Sequence, residues 1–285
     1  MSPARPRRSA LYMPAGNPRA IEKARSLACD VVILDLEDSV APEAKLAARD
    51  LAVAAIAQGG FGRRELVVRV NGLDTPWGEA DLAVVSAGAV RPHAVLAPKV
   101  STPADVAAYA ARLPQGVDLW IMVETCASLF ALDRLAASGG PLSALVVGSN
   151  DLVKEMRCQV DAERRPLQAA LSLTVAAGRA FGLTVLDGVW NEIADLGGLE
   201  VQCRQGVEFG FDGKTLIHPD QIAAANQAFS PDPEEVAWAQ IVVAAFKTAE
   251  SAGKGVLRVE GRMVERLHLE QALRLLEIAG ALEEA

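Results

Sequence analysis

The sequence predicts an α/β fold, a (β/α)8 TIM barrel with a C-terminal helical extension. Three observations point there. Eight short apolar runs recur along the chain as far as Asp220, each ending in a polar or special residue. Their hydrophobicity is continuous rather than alternating, as it is in strands buried on both faces. Alanine-rich stretches of helical length separate them, and the runs start 22, 34, 29, 25, 25, 40 and 29 residues apart, which is the length of strand-plus-helix units. A doubly wound open sheet is the rival. It lacks support because no GxGxxG follows the first run, and eight units in succession favour closure.

The strands are expected at Ser9–Pro14, Val31–Asp38, Glu65–Asn71, Ala94–Val100, Leu119–Thr125, Ala144–Asp151, Thr184–Val189 and Gly213–Asp220. The helices between them are expected at Pro18–Leu27, Pro42–Gln58, Pro76–Ser86, Pro103–Arg112, Cys126–Ala137, Glu163–Phe181 and Ile193–Gln205. Four begin with proline, whose missing N–H costs nothing in a first turn, and Ser101 and Thr102 precede one as caps. After the eighth run come a helix at Asp220–Phe229 and the turn Ser230-Pro-Asp-Pro. A long helix, Glu234–Ser251, follows, then a glycine-punctuated stretch, Gly253–Gly261, with a short strand at Val256–Glu260. A last helix runs from Arg266 to Leu282. The expected division is residues 1–229, a barrel carrying the active site, and residues 230–285, a helical extension serving as lid and oligomer contact.

With 285 residues, 51% of them hydrophobic and 22% charged, the chain can bury a core without disulfides or a structural metal. A net charge of −8 argues against a nucleic-acid partner, whose footprint is basic. It leaves room for an anionic ligand held by a few arginines. Cys29, Cys126, Cys158 and Cys203 form no CxxC pair and read as buried, reduced thiols of a cytoplasmic protein. No long apolar segment follows the N-terminal arginines and no stretch of 18 apolar residues exists, so neither a signal peptide nor a membrane span is expected.

In such barrels the chemistry sits at the C-terminal ends of the strands. Here those ends carry Glu37 and Asp38, Arg69 and Asn71, Lys99, Glu124, Asn150 and Asp151, Asp187 and His218. Acids facing one mouth repel unless a cation offsets them, which predicts a divalent metal. With carboxylates as ligands and no histidine pair or cysteine cluster, the choice is Mg2+, with Mn2+ as a substitute, rather than zinc. Glu124 and Asp151, on adjacent strands, are the natural ligand pair; the alternative for Glu124 is a cap on the helix that follows. Arg69 lies in an apolar strand, where a buried guanidinium needs an anion. That anion is a substrate carboxylate, an internal partner among Glu37 and Asp38, or both. Lys99 is a salt-bridge member, a phosphate ligand or a Schiff-base lysine. Asp187 caps or pairs, and His218, before a proline, anchors a loop or joins the site.

The segments LYMPAGNPRAIEKA, VVILDLEDSVAPEAK, RVNGLDTPWGEADL, PKV, VET, VGSNDL and GVEFGFDGKTLIHPDQI carry a resemblance that runs from Ser9 to Gln271. Together they resemble the citrate lyase beta subunit-like, acyl-CoA lyase branch of the HpcH/HpaI aldolase family. The resemblance implies a Mg2+-dependent carbon–carbon lyase that cleaves a 3-hydroxyacyl-CoA of the citryl-, malyl- or citramalyl-CoA type. The products are a 2-oxo acid, such as oxaloacetate, glyoxylate or pyruvate, and acetyl-CoA. It places the metal on Glu124 and Asp151, with Glu124 also beside the substrate, and the substrate carboxylate on Arg69. It assigns Glu37 and Asp38 as an acidic pair of the catalytic apparatus. Many lyases of this kind carry an aspartate after a G-x-M-I/V segment, which reaches a neighbouring subunit's site. Here that segment reads Gly261-Arg262-Met263-Val264-Glu265, so the acid is one methylene longer. A homo-oligomer, a trimer or a multiple, is implied, with an acyl-carrier partner open. Two other functions stand beside this one: a class II pyruvate-type aldolase working without CoA, and a non-catalytic acyl-CoA-binding subunit.

Overall fold

The computed structural model of the chain describes residues 5–250 and 254–283. Eight parallel strands close into a barrel in sequence order. They are β1 (Ser9–Pro14), β2 (Val31–Asp35), β3 (Glu65–Arg69), β4 (Ala94–Ala97), β5 (Asp118–Val123), β6 (Leu142–Val147), β7 (Thr184–Asp187) and β8 (Gly213–Leu216), with β8 pairing back onto β1. The helices around them are α1 (Pro18–Ala24), α2 (Lys45–Gln58), α3 (Gly78–Ala87), α4 (Pro103–Ala110), α5 (Cys126–Leu129), α6 (Leu132–Ala136), α7 (Ser149–Met156), α8 (Gln168–Ala180), α9 (Leu196–Phe209) and α10 (Ile222–Ala228).

Local chemistry accounts for many of the boundaries. The Asn17 side chain accepts from Ala20 N to open α1, and Thr102 and Asp105 form a reciprocal capping box on α4. Proline stands in the first turn of both. Side-chain alternation divides each strand between two cores. Ala10, Ile33, Val67, Leu96, Trp120, Val146 and Leu186 fill the barrel interior. Leu11, Leu34, Val68, Val95, Ile121, Leu145 and Val185 face the helices. Being buried on both faces is what made each run continuously apolar. Arg7 plugs the N-terminal end of the barrel: it donates to both Glu65 oxygens at 2.6 and 2.8 Å, and lies 4.7 Å over the Trp120 ring.

Several expected boundaries shift. The strands stop earlier at the mouth, because the polar residues after each apolar run leave the ladder. The Ala144–Asp151 run is strand only to Val147; Ser149, Asn150 and Asp151 form the first turn of α7, a helix the sequence reading did not foresee. Short polar side chains favour helix starts over strands, which outweighs continuity with the preceding ALVV. The helix expected at Cys126–Ala137 breaks in two around Phe130. Cys29 and Cys203 are buried, and burial pushes both thiols up to about 11. Cys126 and Cys158 are half-buried instead of buried, and all four are free.

Arg7–Phe229 forms one compact unit, and the segment from Ser230 forms a second. The second contains α11 (Pro233–Glu250), the strands β9 (Val256–Val259) and β10 (Arg262–Glu265), and α12 (Arg266–Glu283). β9 and β10 make an antiparallel hairpin whose two-residue turn, Glu260 and Gly261, has φ of 48° and 85°, the doubly left-handed turn that suits such hairpins. Val242, Phe246, Val259, Val264 and Ala272 form this unit's core. Ser251 and Gly253, expected as a helix end and a loop glycine, lie outside the described residues. Among the described residues no helix is long and apolar enough to cross a membrane.

Candidate active site at the barrel mouth

The interior parity of the strands carries charge to the top of the barrel. On β2 it runs Val31, Ile33, Asp35; on β3 it ends at Arg69; beyond β5 it passes from Met122 to Glu124. The register sets Asp35 opposite Arg69. The guanidinium donates through Nε to Asp35 Oδ1 at 2.7 Å and through Nη2 to Oδ2 at 2.8 Å. Its Nη1 lies 2.9 Å from Glu37 Oε2 and 3.2 Å from Asp38 Oδ2, and its plane sits 4.7 Å over the Tyr12 ring. The internal pairs that the sequence left open are therefore both present. The two-pronged face of the guanidinium goes to Asp35, which the sequence reading did not name. The signal was available: DLED has a third acid at the parity of Ile33.

These contacts set the protonation. Burial works to raise the Asp35 carboxyl, but Arg69 and the backbone and Ser39 hydrogen bonds outweigh it, and it stays below the usual carboxylate range. Burial pushes Glu37 up to about 8, because Arg69 only partly offsets it and Asp38 and Glu124 add repulsion. A carboxyl raised by folding binds its proton more tightly in the folded state. Its contribution to stability is complete below the ordinary value, near pH 4.5, and is lost as pH rises through about 8. The urea midpoint is expected to fall across that window, and Glu37→Gln to flatten the fall. Parallel pH profiles for the two proteins would refute the raised carboxyl.

Glu124 is 1% exposed. Gly148 lies against it so closely that a Cβ there would stand 2.5 Å from both Glu124 Cβ and Oε2. Asp151 sits in the first turn of α7, where the helix N-terminus favours a carboxylate. The Lys99 ammonium joins the two: Nζ is 2.6 Å from Asp151 Oδ2 and 3.4 Å from Glu124 Oε1, while the Lys99 backbone N–H donates to Glu124 Oε1 at 2.7 Å. Burial raises the Glu124 carboxyl, and Lys99 opposes that. Thr125, not Glu124, caps α5, through a box with Ser128. The predicted ligand pair thus converges on a single cation. No group of three or more His, Cys, Asp or Glu is placed to hold a metal among the described residues. Two carboxylates with no nitrogen or sulfur donor suit Mg2+, which takes its remaining ligands from water and substrate.

Asp187 faces the helices, fully buried, 2.7 Å from Arg164 Nη1 and 3.1 Å from Lys214 Nζ. Burial works to raise it, but the two cations hold it below the usual range. Arg164 and Lys214 escaped the sequence reading; GKTL gave no sign that its lysine is enclosed. His218 accepts from Asp220 N and caps the turn Pro219–Gln221. Lys99 is a salt-bridge member. Glu265 ends β10 in the second unit, and its N–H donates to His268 Nδ1 at 3.0 Å. It stands on the antiparallel hairpin whose tight turn is Glu260 and Gly261.

Arg69, Glu124, Asp151, Asp35 and Asp38 all line one cavity of about 340 Å3, with Tyr12 and Ser149. Residues 8–219 match the profile of HpcH/HpaI aldolase/citrate lyase. The chain is 45% identical to a (3S)-malyl-CoA thioesterase of Cereibacter sphaeroides (strain KD131 / KCTC 12085), over 98% of this chain and 96% of the relative. It is 33% identical to the mitochondrial citramalyl-CoA lyase of Homo sapiens, over 98% and 87%. The crystal structure of protein CitE from Mycobacterium tuberculosis in complex with magnesium, acetoacetate and coenzyme A shares 30% identity and a TM-score of 0.75, over 95% of this chain and 97% of that one. A barrel closed in sequence order, this mouth and a match over most of the chain together make the protein a member of the HpcH/HpaI aldolase/citrate lyase family, of the citrate lyase beta subunit-like kind.

Proposed function

We propose that the chain is a Mg2+-dependent enzyme acting on the CoA thioester of a short hydroxy dicarboxylic acid, of the malyl-CoA class. The carrying observation is the convergence of Glu124 and Asp151 on one cation, in a cavity that also holds the Arg69 guanidinium. Glu124 and Asp151 hold the ion, which when bound supplies Lewis-acid polarisation of a substrate oxygen. Asp35 fixes the inner edge of Arg69. Its Nη1 meets the substrate carboxylate in place of Asp38, whose side chain is 63% exposed and free to yield. Glu37, raised by burial, keeps a proton available near neutral pH beside that carboxylate.

Two bonds of such a substrate are open to cleavage. Hydrolysis of the thioester releases the hydroxy acid and CoA. It is favoured by the 45% identity to the malyl-CoA thioesterase, against 33% to the lyases. The second reading is the carbon–carbon cleavage implied by the motifs. A base removes the hydroxyl proton, the carbon–carbon bond breaks, and its electron pair passes to the carbon next to the thioester carbonyl as an enolate, which is protonated at that carbon to give acetyl-CoA. Purified protein with Mg2+ and malyl-CoA separates the two by product: malate and CoA, or glyoxylate and acetyl-CoA. Turnover of neither, with turnover of a CoA-free hydroxy-oxo acid, would replace both with the pyruvate-type aldolase.

Arg69→Lys keeps the charge but cannot hold Asp35 and a substrate carboxylate together. It is expected to weaken binding of the acid by about 1–3 kcal/mol. Equal affinity would leave Arg69 with only its internal ion pairs. For residues 230–285 the proposal is a lid and an oligomer contact, with Glu265 acting in a neighbouring subunit. Mixed oligomers of two inactive variants, Asp151→Asn and Glu265→Gln, are expected to regain activity. Full activity of Glu265→Gln alone would remove that acid from the reaction.

A further inference from the structure

Lys99 holds an unusual position. Its backbone has φ of 55°, in the left-handed region that a lysine seldom adopts. That turn lets one residue serve Glu124 twice, with its backbone N–H at 2.7 Å and its ammonium at 3.4 Å, while the ammonium also reaches Asp151 at 2.6 Å. Its side chain is 38% exposed, so it has a path outward into solvent. A Mg2+ ion binds carboxylate oxygens at about 2.0–2.1 Å and tolerates little distortion. An ammonium already 2.6 Å from the same Asp151 oxygen occupies the ground such an ion would take.

We infer that Lys99 is an internal counter-cation of the Glu124–Asp151 pair, which a divalent ion must displace, so that it sets the affinity and selectivity of the metal site. The inference rests on the assignment of those two carboxylates as metal ligands. Without such a charge, two carboxylates facing one point, one of them buried, would repel. With it, the site is neutralised in part, and a monovalent ion gains too little to expel the ammonium. The displaced side chain leaves along its exposed course toward solvent.

Lys99→Met retains the stem and the backbone donor and removes the charge. Titration calorimetry with MgCl2 alone is expected to show tighter binding, by about ten- to hundredfold on the scale of a charged hydrogen bond. The metal-free variant is expected to melt lower than the parent, and added Mg2+ to raise its melting temperature by more. Lys99→Arg, which keeps a cation, is expected to stay close to the parent in Mg2+ affinity. Unchanged or weaker Mg2+ binding in a folded Lys99→Met protein would overturn the inference. If Glu124→Gln still abolishes Mg2+ binding in that case, the metal site stands and only the role of Lys99 falls. If Mg2+ binds equally well to the parent and to Glu124→Gln, the metal assignment itself falls, and this inference with it.

Discussion

Glu124→Gln is expected to lower Mg2+-dependent turnover by roughly a thousandfold or more, the scale set by losing several kcal/mol of Lewis-acid stabilisation. The substitution is close to isosteric. The amide oxygen can still accept from the Lys99 backbone N–H, and the contact of Gly148 with Cβ is kept. The fold is therefore expected to survive, and the thermal melt of the variant is the control. Asp151→Asn should act in the same direction, since it removes the other carboxylate that Lys99 shows to share one cation. Calorimetry with Mg2+ and a 2-oxo acid checks both variants. Binding at parental strength in the two of them would place the metal elsewhere.

Asp187→Ala is expected to cost about 3–5 kcal/mol of stability, the range for stripping one partner from a buried ion pair. For a unit of this size that lowers the melting temperature by roughly 6–20 °C. The reason is an uneven charge count. Asp187 is the shared anion between Arg164 and Lys214, and all three are at most 2% exposed. Lys214 also donates to Gln202 Oε1 at 2.6 Å and to the Gly188 carbonyl, and Arg164 to Gln205 Oε1 at 2.6 Å. Those neutral partners cannot replace the lost charge. Burial already holds the Lys214 amine below its ordinary range, with Asp187 in partial compensation. Adding Lys214→Met to Asp187→Ala is expected to recover part of the loss, because one of the stranded cations is gone. A loss below about 1 kcal/mol in the single variant, the level of an exposed pair, would show that the cluster is solvated.

The barrel itself was legible in the sequence, because a strand buried on both faces writes a continuous apolar run and a strand-plus-helix unit imposes a repeating length. Glu124, Asp151 and Arg69 were legible too: they are charged residues at the ends of such runs, and a closed barrel collects strand ends at one mouth. What the linear pattern did not encode was partnership. Asp35 stands opposite Arg69 through the β2–β3 register, a contact between residues 34 apart. The Lys99 ammonium lies between Glu124 and Asp151 because of a single left-handed residue after β4 and a helix that begins one residue past Gly148. Asp187 looked like the other polar residues at strand ends, and only its outward parity, shared with Lys214 on β8, makes the two an enclosed pair among helices. A hydrophobicity pattern reports which face of an element is buried, and that depends on the element alone. Which charges meet across a barrel depends on register, turn conformation and side-chain direction in several elements at once, and the tertiary structure alone decided that.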